Sequence, residues 1–557
     1  MIYKNNLVKN KVKKIKLRLD EMFKPVVVSK DENLLEKGQP VEKYNFFTAD
    51  GSLKNGYGIQ DLKLKNSQNV DCTVKISNDE VVGIWSTRWA TNSNSSVLDF
   101  LFYMIDGGTV YNVDLSAPNV SLAMENTFSS VPTMTKVRQN SLEAFAFTSS
   151  SGMVLLTQSA ETLYASAPKI MDACYHYNKM FAITAETRNA LIYSAQLDVT
   201  AWTSSNTYRI DFTDDRGRLI KIMSYNDHLY VFREFGITKV SPYSVANDFS
   251  IEHIYQSNNC IYPETISICG DNVIFLTRDG LYSFNGTKVQ KLDFDIVNKI
   301  EKTSSSSPNG IGFNGKYFLA CKIQYKDGTI GCEGETNFVN NSVVIFDLKN
   351  NEIEVMRGVD IKKFAELNSD KLNHLCAIFR GQNKHKIGQF IEGGSIFSNI
   401  FKNVWQTSFS DLGYTGKLKH VDEVKLISKE NSTLVIKTDE ETKTYNIVGS
   451  TKVQRVKTNV KGKLLSFKIE SNLSGQRISK PEISLTVYMW NWHKNILRLL
   501  LEKQSLQKRR NISWKIFYPL VLRKKINGYL EGNYQRGGEQ WNLCNFICRT
   551  LLLSTQG

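Results

Sequence analysis

Residues 219–240, LIKIMSYNDHLYVFREFGITKV, hold two short apolar and aromatic runs separated by Asn226 and Asp227. Each run is too short for a globular helix and is rich in Ile, Val, Tyr and Phe, the types that fit a pleated, half-buried surface. A polar pair between such runs is the chemistry of a tight hairpin. The same order of strand, polar turn and aromatic-rich strand returns at 265–286 (TISICGDNVIFLTRDGLYSFNG) and 310–325 (GIGFNGKYFLACKIQY). A fourth copy, with a shorter turn, lies at 170–195 (IMDACYHYNKMFAITAETRNALIYSA).

Anchoring each copy at the strand after its turn gives Met180, Leu229, Val273 and Tyr317, spaced by 49, 44 and 44 residues. A period in the forties, with three or four strands per unit and no helical stretch between them, points to propeller blades. One blade cannot bury both its faces, so the copies must stack. Looser copies at 97–115, 141–164 and 343–390 bring the expected number of blades to six or seven. The alternative reading of the same runs is a set of irregular β-meanders or two sandwiches.

Outward from this repeat, Ser304 to Pro308 and 326–341 are rich in Ser, Gly, Asn and charge and read as loops projecting from blades. A boundary is expected near 395–405. Beyond it, 420–448, 461–472 and 480–490 read as alternating strands with polar turns, so a small β-sandwich is expected. The expected fold is therefore all-β: a basic N-terminal arm at 1–40, a β-propeller-like domain at 41–395, the sandwich at 405–488 and a basic extension at 489–557.

Composition agrees with that class. With 557 residues the chain has room for about three domains, and 24 Tyr with 29 Phe among many β-branched residues suit a β-rich globular protein. The net charge of +15 sits at the ends: residues 1–18 carry seven Lys or Arg and no acid, and 489–557 carry twelve bases and three acids. Residues 19–488 are left at −1, which argues against a general polyanion-binding body.

The last 69 residues contain no Ala or Asp and hold four of the eight Trp. Two readings stay open for them. One is a basic amphipathic region, with 496–510 (ILRLLLEKQSLQKRR) as a helix lying on an acidic membrane or partner. The other is an out-of-frame or poorly folded extension.

Nine cysteines form no even framework, and only Cys544 and Cys548 are close together, without matching His or Cys pairs. They read as reduced, mostly buried thiols. The basic start leads into no apolar core of a secretory signal, and no run of about 18 apolar residues occurs, so no membrane-spanning helix is expected. A reducing cytoplasm is the expected place of synthesis.

Several motifs resemble sites and are better read as scaffold. Gly310, Gly312, Gly315 and Lys316 spell a phosphate-loop string, but the next residues, 316–325 (KYFLACKIQY), read as a strand, whereas a dinucleotide fingerprint opens a helix. Asp211, Asp214 and Asp215 with Gly217 lack the spacing and distal Glu of a calcium loop and read as a solvated loop. The seven histidines include no pair at metal-binding spacing, and His228, in a hairpin turn, is expected at the surface. Trp85, Arg88 and Trp89, and Tyr225, Tyr230 and Phe232, could line a glycan or protein surface, but aromatics in strands more often pack in cores. Asp279-Gly280 and Asn285-Gly286 are expected to be type I′ turns, which need positive φ. No catalytic, cofactor-binding or metal-ligating residue is assigned, and no enzymatic activity is expected.

Residues 226–244 (NDHLYVFREFGITKVSPYS), 269–292 (CGDNVIFLTRDGLYSFNGTKVQKL) and 405–426 (WQTSFSDLGYTGKLKHVDEVKL) resemble β-propeller virion proteins of tailed bacteriophages and prophages. The likeness covers roughly 40–488 and includes a leading segment before the blades, YNFFTADGSLKNGYGI at 44–59. It also includes a small β-domain opening with Trp405 followed by Asp411 and Gly413. The resemblance implies a non-enzymatic structural protein of the tail or head-to-tail region, made in the host bacterial cytoplasm and located in the virion. Its implied partners are other virion proteins and further copies of itself, arranged around a DNA channel. The basic final 69 residues depart from that pattern. The competing readings are a propeller-type glycan-binding or glycan-cleaving protein, and a nucleic-acid or membrane-associated protein acting through its basic tail.

Overall fold

The computed structural model describes residues 11–19, 23, 40–65, 71–73, 79–90, 97–115, 121–202, 209–242, 249–325, 335–368, 373–380, 384–393, 395, 402–472 and 474–489. The propeller and the sandwich both lie in the compact unit Val12–Tyr488. The basic extension lies outside the described residues from 490 onward, with Cys544 and Cys548 in it.

Among the described residues, seven four-stranded antiparallel sheets succeed one another along the chain. Blade 1 spans 81–127, blade 2 133–164, blade 3 170–211, blade 4 219–256, blade 5 267–292 and blade 6 309–357. Blade 7 takes three strands from 361–392, and its fourth and outermost strand is Tyr57–Asp61, paired to His385–Glu392 in the register Phe390↔Ile59. A strand more than 300 residues upstream thus closes the ring.

In blades 1 to 5 burial grades outward, whereas the outer strands of blades 6 and 7 keep buried residues. Second strands are buried almost throughout, as in Lys179–Thr184 and His228–Arg233, because a neighbouring blade covers each face. That double cover is why they read as unbroken apolar runs. Fourth strands such as Glu161–Tyr164 and Arg209–Asp211 are mostly exposed. The anchors Met180, Leu229, Val273 and Tyr317 each stand second in a second strand and are fully buried. Seven apolar clusters fill the seven gaps between adjacent blades. In the gap that completes the circle, Leu101 and Tyr103 of blade 1 pack with Leu367 and Ile378 of blade 7.

The first turns of blades 2, 3, 4 and 6 put both central residues at positive φ: Asn140-Ser141, Tyr177-Asn178, Asn226-Asp227 and Asn314-Gly315. These are the type I′ positions whose twist matches the strands. Asp279-Gly280 and Asn285-Gly286 are not such turns. Neither Asp279 nor Gly280 has positive φ, and at 285–288 only Gly286 does. There the Asn285 side chain organises the turn instead, accepting from the N–H groups of Thr287 and Lys288.

The domain limits expected from the sequence need correction at the N-terminal side. Lys11–Arg18 is a strand paired to Arg477–Met489, and Phe46–Ala49 and Ser52–Asn55 extend the same sheet. Pro40–Tyr44 joins the opposing sheet beside Asn403–Thr407. The sandwich is thus built from 403–489 together with 11–18 and 40–55, and the leading segment 44–59 is divided between sandwich and propeller. The sandwich core centres on fully buried Trp405, met edge-on by Phe23 at 4.9 Å. Its strands alternate in burial, as in Ser432–Thr438, so the period of two visible in the sequence was a sound guide here.

Candidate functional site

The first strands of the blades stand side by side around the axis, and hydrogen bonds pass between them. Thr133 Oγ1 donates to the Met171 carbonyl at 2.9 Å, Gly312 N to Ser267 Oγ at 3.0 Å, and Phe364 N to Asn309 Oδ1 at 3.1 Å. Four of these strands carry a bulge at the same place, directly after their first residue. The register slips between Val81 and Gly83, Ile170 and Asp172, Leu219 and Lys221, and Ile361 and Lys363. A bulge inserts one residue and re-aims the next side chain. The re-aimed positions are Gly83, Asp172, Lys221 and Lys363.

Three of those four are charged, and they act on one another electrostatically. Asp172 Oδ2 accepts from Ile222 N at 2.7 Å. Burial pushes its carboxyl up to about 6, against the pull of Lys221 and of the Ile222 N–H, while Glu264 pushes it further up. Burial also lowers Lys363; Glu264 and Asp172 work against that, and Lys221 adds to it. The Lys363 ammonium stands 5.3 Å over the Trp85 ring. In blade 1 the equivalent position is Gly83, where a Cβ would come within 2.5 Å of the Trp85 indole. Blade 1 therefore supplies the ring instead of a fourth charge.

The residues singled out in the sequence have other fates. Trp85 and Trp89 are buried and pack with Phe102, Phe145 and Phe147, and Tyr225, Tyr230 and Phe232 pack between blades 4 and 5. They form core, with only the Trp85 face reaching the axial cluster. The loop of Asp211, Asp214 and Asp215 is not simply solvated. The buried Arg233 guanidinium donates to Asp214 Oδ1, and to the Gly217 carbonyl at 2.9 and 3.1 Å. Burial alone would raise Asp214, but the Arg216 N–H, Arg233 and His253 hold it below the usual carboxylate range. His228 is half-buried rather than at the surface, its ring edge-on to Tyr230. Cys269, Cys321 and Cys376 are buried free thiols; Cys174 and Cys260 are half-buried. Burial pushes the Cys269 thiol up to about 11.

Of the glycines in the phosphate-loop string, Gly310 and Gly312 serve packing and Gly315 serves the turn. Gly310 and Gly312 lie in strand Asn309–Phe313, and the next strand, Lys316–Cys321, begins at once. A concavity of about 280 Å³ lies on blade 6 with Pro308, Phe338 and Val339 beside Ser306, Asn340 and the Glu301 to Lys322 pair. Among the described residues no group of three or more His, Cys, Asp or Glu is placed to hold a metal ion, and no helix is long and apolar enough to cross a membrane.

No family model matches this chain, and no curated protein does. Among solved structures it is similar to Chaetomium thermophilum Raptor, with 10% identity over 58% of this chain and 30% of that chain at a TM-score of 0.37. It is similar to U3-55K, with 8% identity over 60% of this chain and 98% of that one at 0.36, and to the RRP9 WD40 repeats, with 10% identity over 60% and 99% at 0.37. Likeness at this level carries no argument about what the chain does; the propeller is read from its own strand pairing.

Proposed function

We propose that the chain is a structural component of a phage or prophage virion, in the tail or head-to-tail connecting region, acting through protein–protein assembly without catalysis. The observation that supports this reading is the interlocking of the two modules. From Lys11 the described residues run through the sandwich, close the propeller with Tyr57–Asp61, pass through the blades and return to the sandwich. A closed propeller has few free sheet edges and presents broad faces with many loops, which suits repeated subunit contact without edge-to-edge aggregation. The neutral charge of 19–488 suits packing against like subunits. Partners on this reading are other virion proteins and further copies of the chain, with DNA near the assembly.

The test is the solution mass of the full chain, and of a version ending at Met489, by light scattering with negative-stain imaging. Rings or defined oligomers in both support the reading. A strict monomer retained on polysaccharide columns overturns it and favours the glycan-binding alternative, for which the blade 6 concavity, lined by Pro308, Phe338 and Val339 together with Ser305, Ser306 and Ser307, is the place to look.

A further inference from the structure

Charge is divided unevenly along the chain. Residues 403–489 carry fourteen Lys or Arg and nine acids, and the edge strand Lys11–Arg18 adds five bases and no acid, whereas 56–402 sum to −4. Much of the excess lies on one surface, the outer face of the sheet that holds Lys11–Arg18, Arg477–Met489, Leu418–Ser428 and Gln454–Gly462 side by side. Along Gln454–Gly462, Val456 and Val460 face the sandwich core, while Arg455, Lys457 and Lys461 face out and are exposed. Along Lys11–Arg18, Leu17 packs on the core, so Lys14, Lys16 and Arg18 share the outer face. Lys16 confirms that orientation by reaching Glu482 of the neighbouring strand at 3.9 Å.

The three acids of this face lie between the two basic rows and are engaged there. Lys425 stands 3.5 Å from Glu423 and 3.3 Å from Glu482, and Asp422 meets His420 at 2.7 Å and accepts from Thr486. Strand register sets Arg455 beside Lys425, Lys457 beside Glu423 and Lys461 beside His420. Among the described residues Arg455, Lys457 and Lys461 have no ion pair of their own. Glu441, which takes the Lys461 N–H at 2.9 Å, is paired instead with Lys443 at 3.1 Å.

We propose that this face binds a DNA duplex through the two phosphate backbones that border a groove, one row of bases to each backbone, without reading sequence. Alternate residues of a strand lie about 6.8 Å apart, so each row spreads three bases over roughly 14 to 20 Å. Three strand spacings of about 4.8 Å set the rows about 14 Å apart, close to the roughly 12 Å width of the major groove. Acids in the middle of the face would repel a single strand laid along it, but stand clear of the phosphates when the rows straddle a groove. The proposal rests on the proposed function for where DNA is met, and on charge and register for the surface itself. Solution mass tests the assembly and DNA affinity tests this face, so each can fail alone.

The experiment is fluorescence anisotropy of a labelled duplex of about 20 base pairs, titrated with the full chain at roughly 50 to 200 mM salt. Six phosphate contacts set a slope of about −5 for log affinity against log salt, and whatever the extension at 490–557 adds is common to every variant. Arg455→Ser with Lys457→Ser and Lys461→Ser is expected to flatten the slope by about 3 and to weaken binding by about tenfold or more, equally on duplexes of unrelated sequence. Lys288→Ser with Lys349→Ser and Lys386→Ser removes the same charge from exposed positions of the propeller and is expected to leave the slope as in the parent. Thermal melts of both triple variants separate lost binding from lost folding. A monomer that binds in this way keeps the proposal while the assembly reading falls. No binding by the parent overturns the proposal, as do equal slopes in the two triple variants or an affinity that follows base sequence. Displacement by polyglutamate as effective as by unlabelled duplex at matched charge overturns it too, and assigns the face to an acidic protein.

Discussion

Replacing Gly312 with alanine is expected to be among the most damaging single-methyl additions in the propeller, and the structure says by how much. A Cβ at Gly312 would lie 2.0 Å from the Ile268 carbonyl oxygen and 2.7 Å from the Cys269 Cα, both backbone of the neighbouring blade. Backbone cannot rotate away as a side chain can, so blades 5 and 6 would have to part. Overpacking a tight core costs about 1–3 kcal/mol, and a clash with backbone belongs at the top of that range. Gly315 in the same string is the internal control. Its φ is +74° and a Cβ there meets nothing within 4 Å. Alanine at 315 suffers only the left-handed penalty of roughly 1–2 kcal/mol, partly offset by about 0.4–1 kcal/mol from a stiffer unfolded chain. The net cost there is about 1 kcal/mol, so the two variants should differ by about 2 kcal/mol. Urea unfolding monitored by tryptophan fluorescence and by far-UV circular dichroism measures both. If Gly312→Ala and Gly315→Ala shift the midpoint equally, the close approach of the two blades is wrong. If either instead removes nucleotide binding from a protein of unchanged stability, the phosphate-loop reading was right.

The fold sets three further outcomes. Ile59→Ala hollows a fully buried site in the closing strand and should cost about 2–5 kcal/mol, whereas Leu163→Ala, on an exposed outer strand, should stay within about 0.5 kcal/mol; equal urea midpoints would mean that Tyr57–Asp61 does not close the ring. Arg233→Met strips Asp214 and the Gly217 carbonyl of their buried donor and should cost about 3 kcal/mol in the same assay, while a stability unchanged from the parent would remove that network from the structure. Asp172 has a native pKa above its unfolded one, so it binds a proton in the folded chain that the unfolded chain has released, and stability falls as pH rises from about 4 to about 6. Asp172→Asn should therefore match the parent below that window and exceed it in melting temperature above it; a constant difference at all pH values would refute the raised carboxyl.

The repeat was legible because its signal is local. A hairpin and its anchor lie within about twenty residues, and the four anchors named from spacing occupy one equivalent, fully buried position. Ring closure was not legible, because nothing in Tyr57–Asp61 names His385–Glu392 as its partner; the match exists only once the other blades have set the circumference. The same holds for Lys11–Arg18, whose lysines alternate with Val12, Ile15 and Leu17 and read equally as a basic arm or as an edge strand, for which lysine is a normal guard. The axial residues left a trace that went unread. Asp172 and Lys221 each stand eight residues before their anchors, Met180 and Leu229, as charges in otherwise apolar first strands. A charge at a repeated core position is the sign of a position that faces something other than core. Lys363 escapes the rule because the loop after its strand is longer, and the bulge that re-aims all three is a backbone event with no residue signature of its own.

The junction between the modules explains why the chain spends buried charge there. Asn45, at φ +61° between two sandwich strands, donates to the Arg357 and Lys402 carbonyls and accepts from Arg357 N at 2.9 Å. Beside it Lys43 meets Glu354 at 2.8 Å, and the Arg357 guanidinium lies 3.7 Å from the Tyr325 ring while bonding Glu335 at 2.8 Å. Buried ion pairs add little net stability over apolar residues of the same shape, since desolvation cancels most of their attraction. What the pairs and bonds that cross the junction enforce is geometry: any rotation of the sandwich on the outer strand of blade 6 would leave Lys43, Glu354 or the Asn45 amide buried and unmatched, at a cost of several kcal/mol. Apolar contact alone would tolerate such a slide. The polar junction thus selects one orientation of sandwich on propeller, where apolar contact alone would leave a hinge.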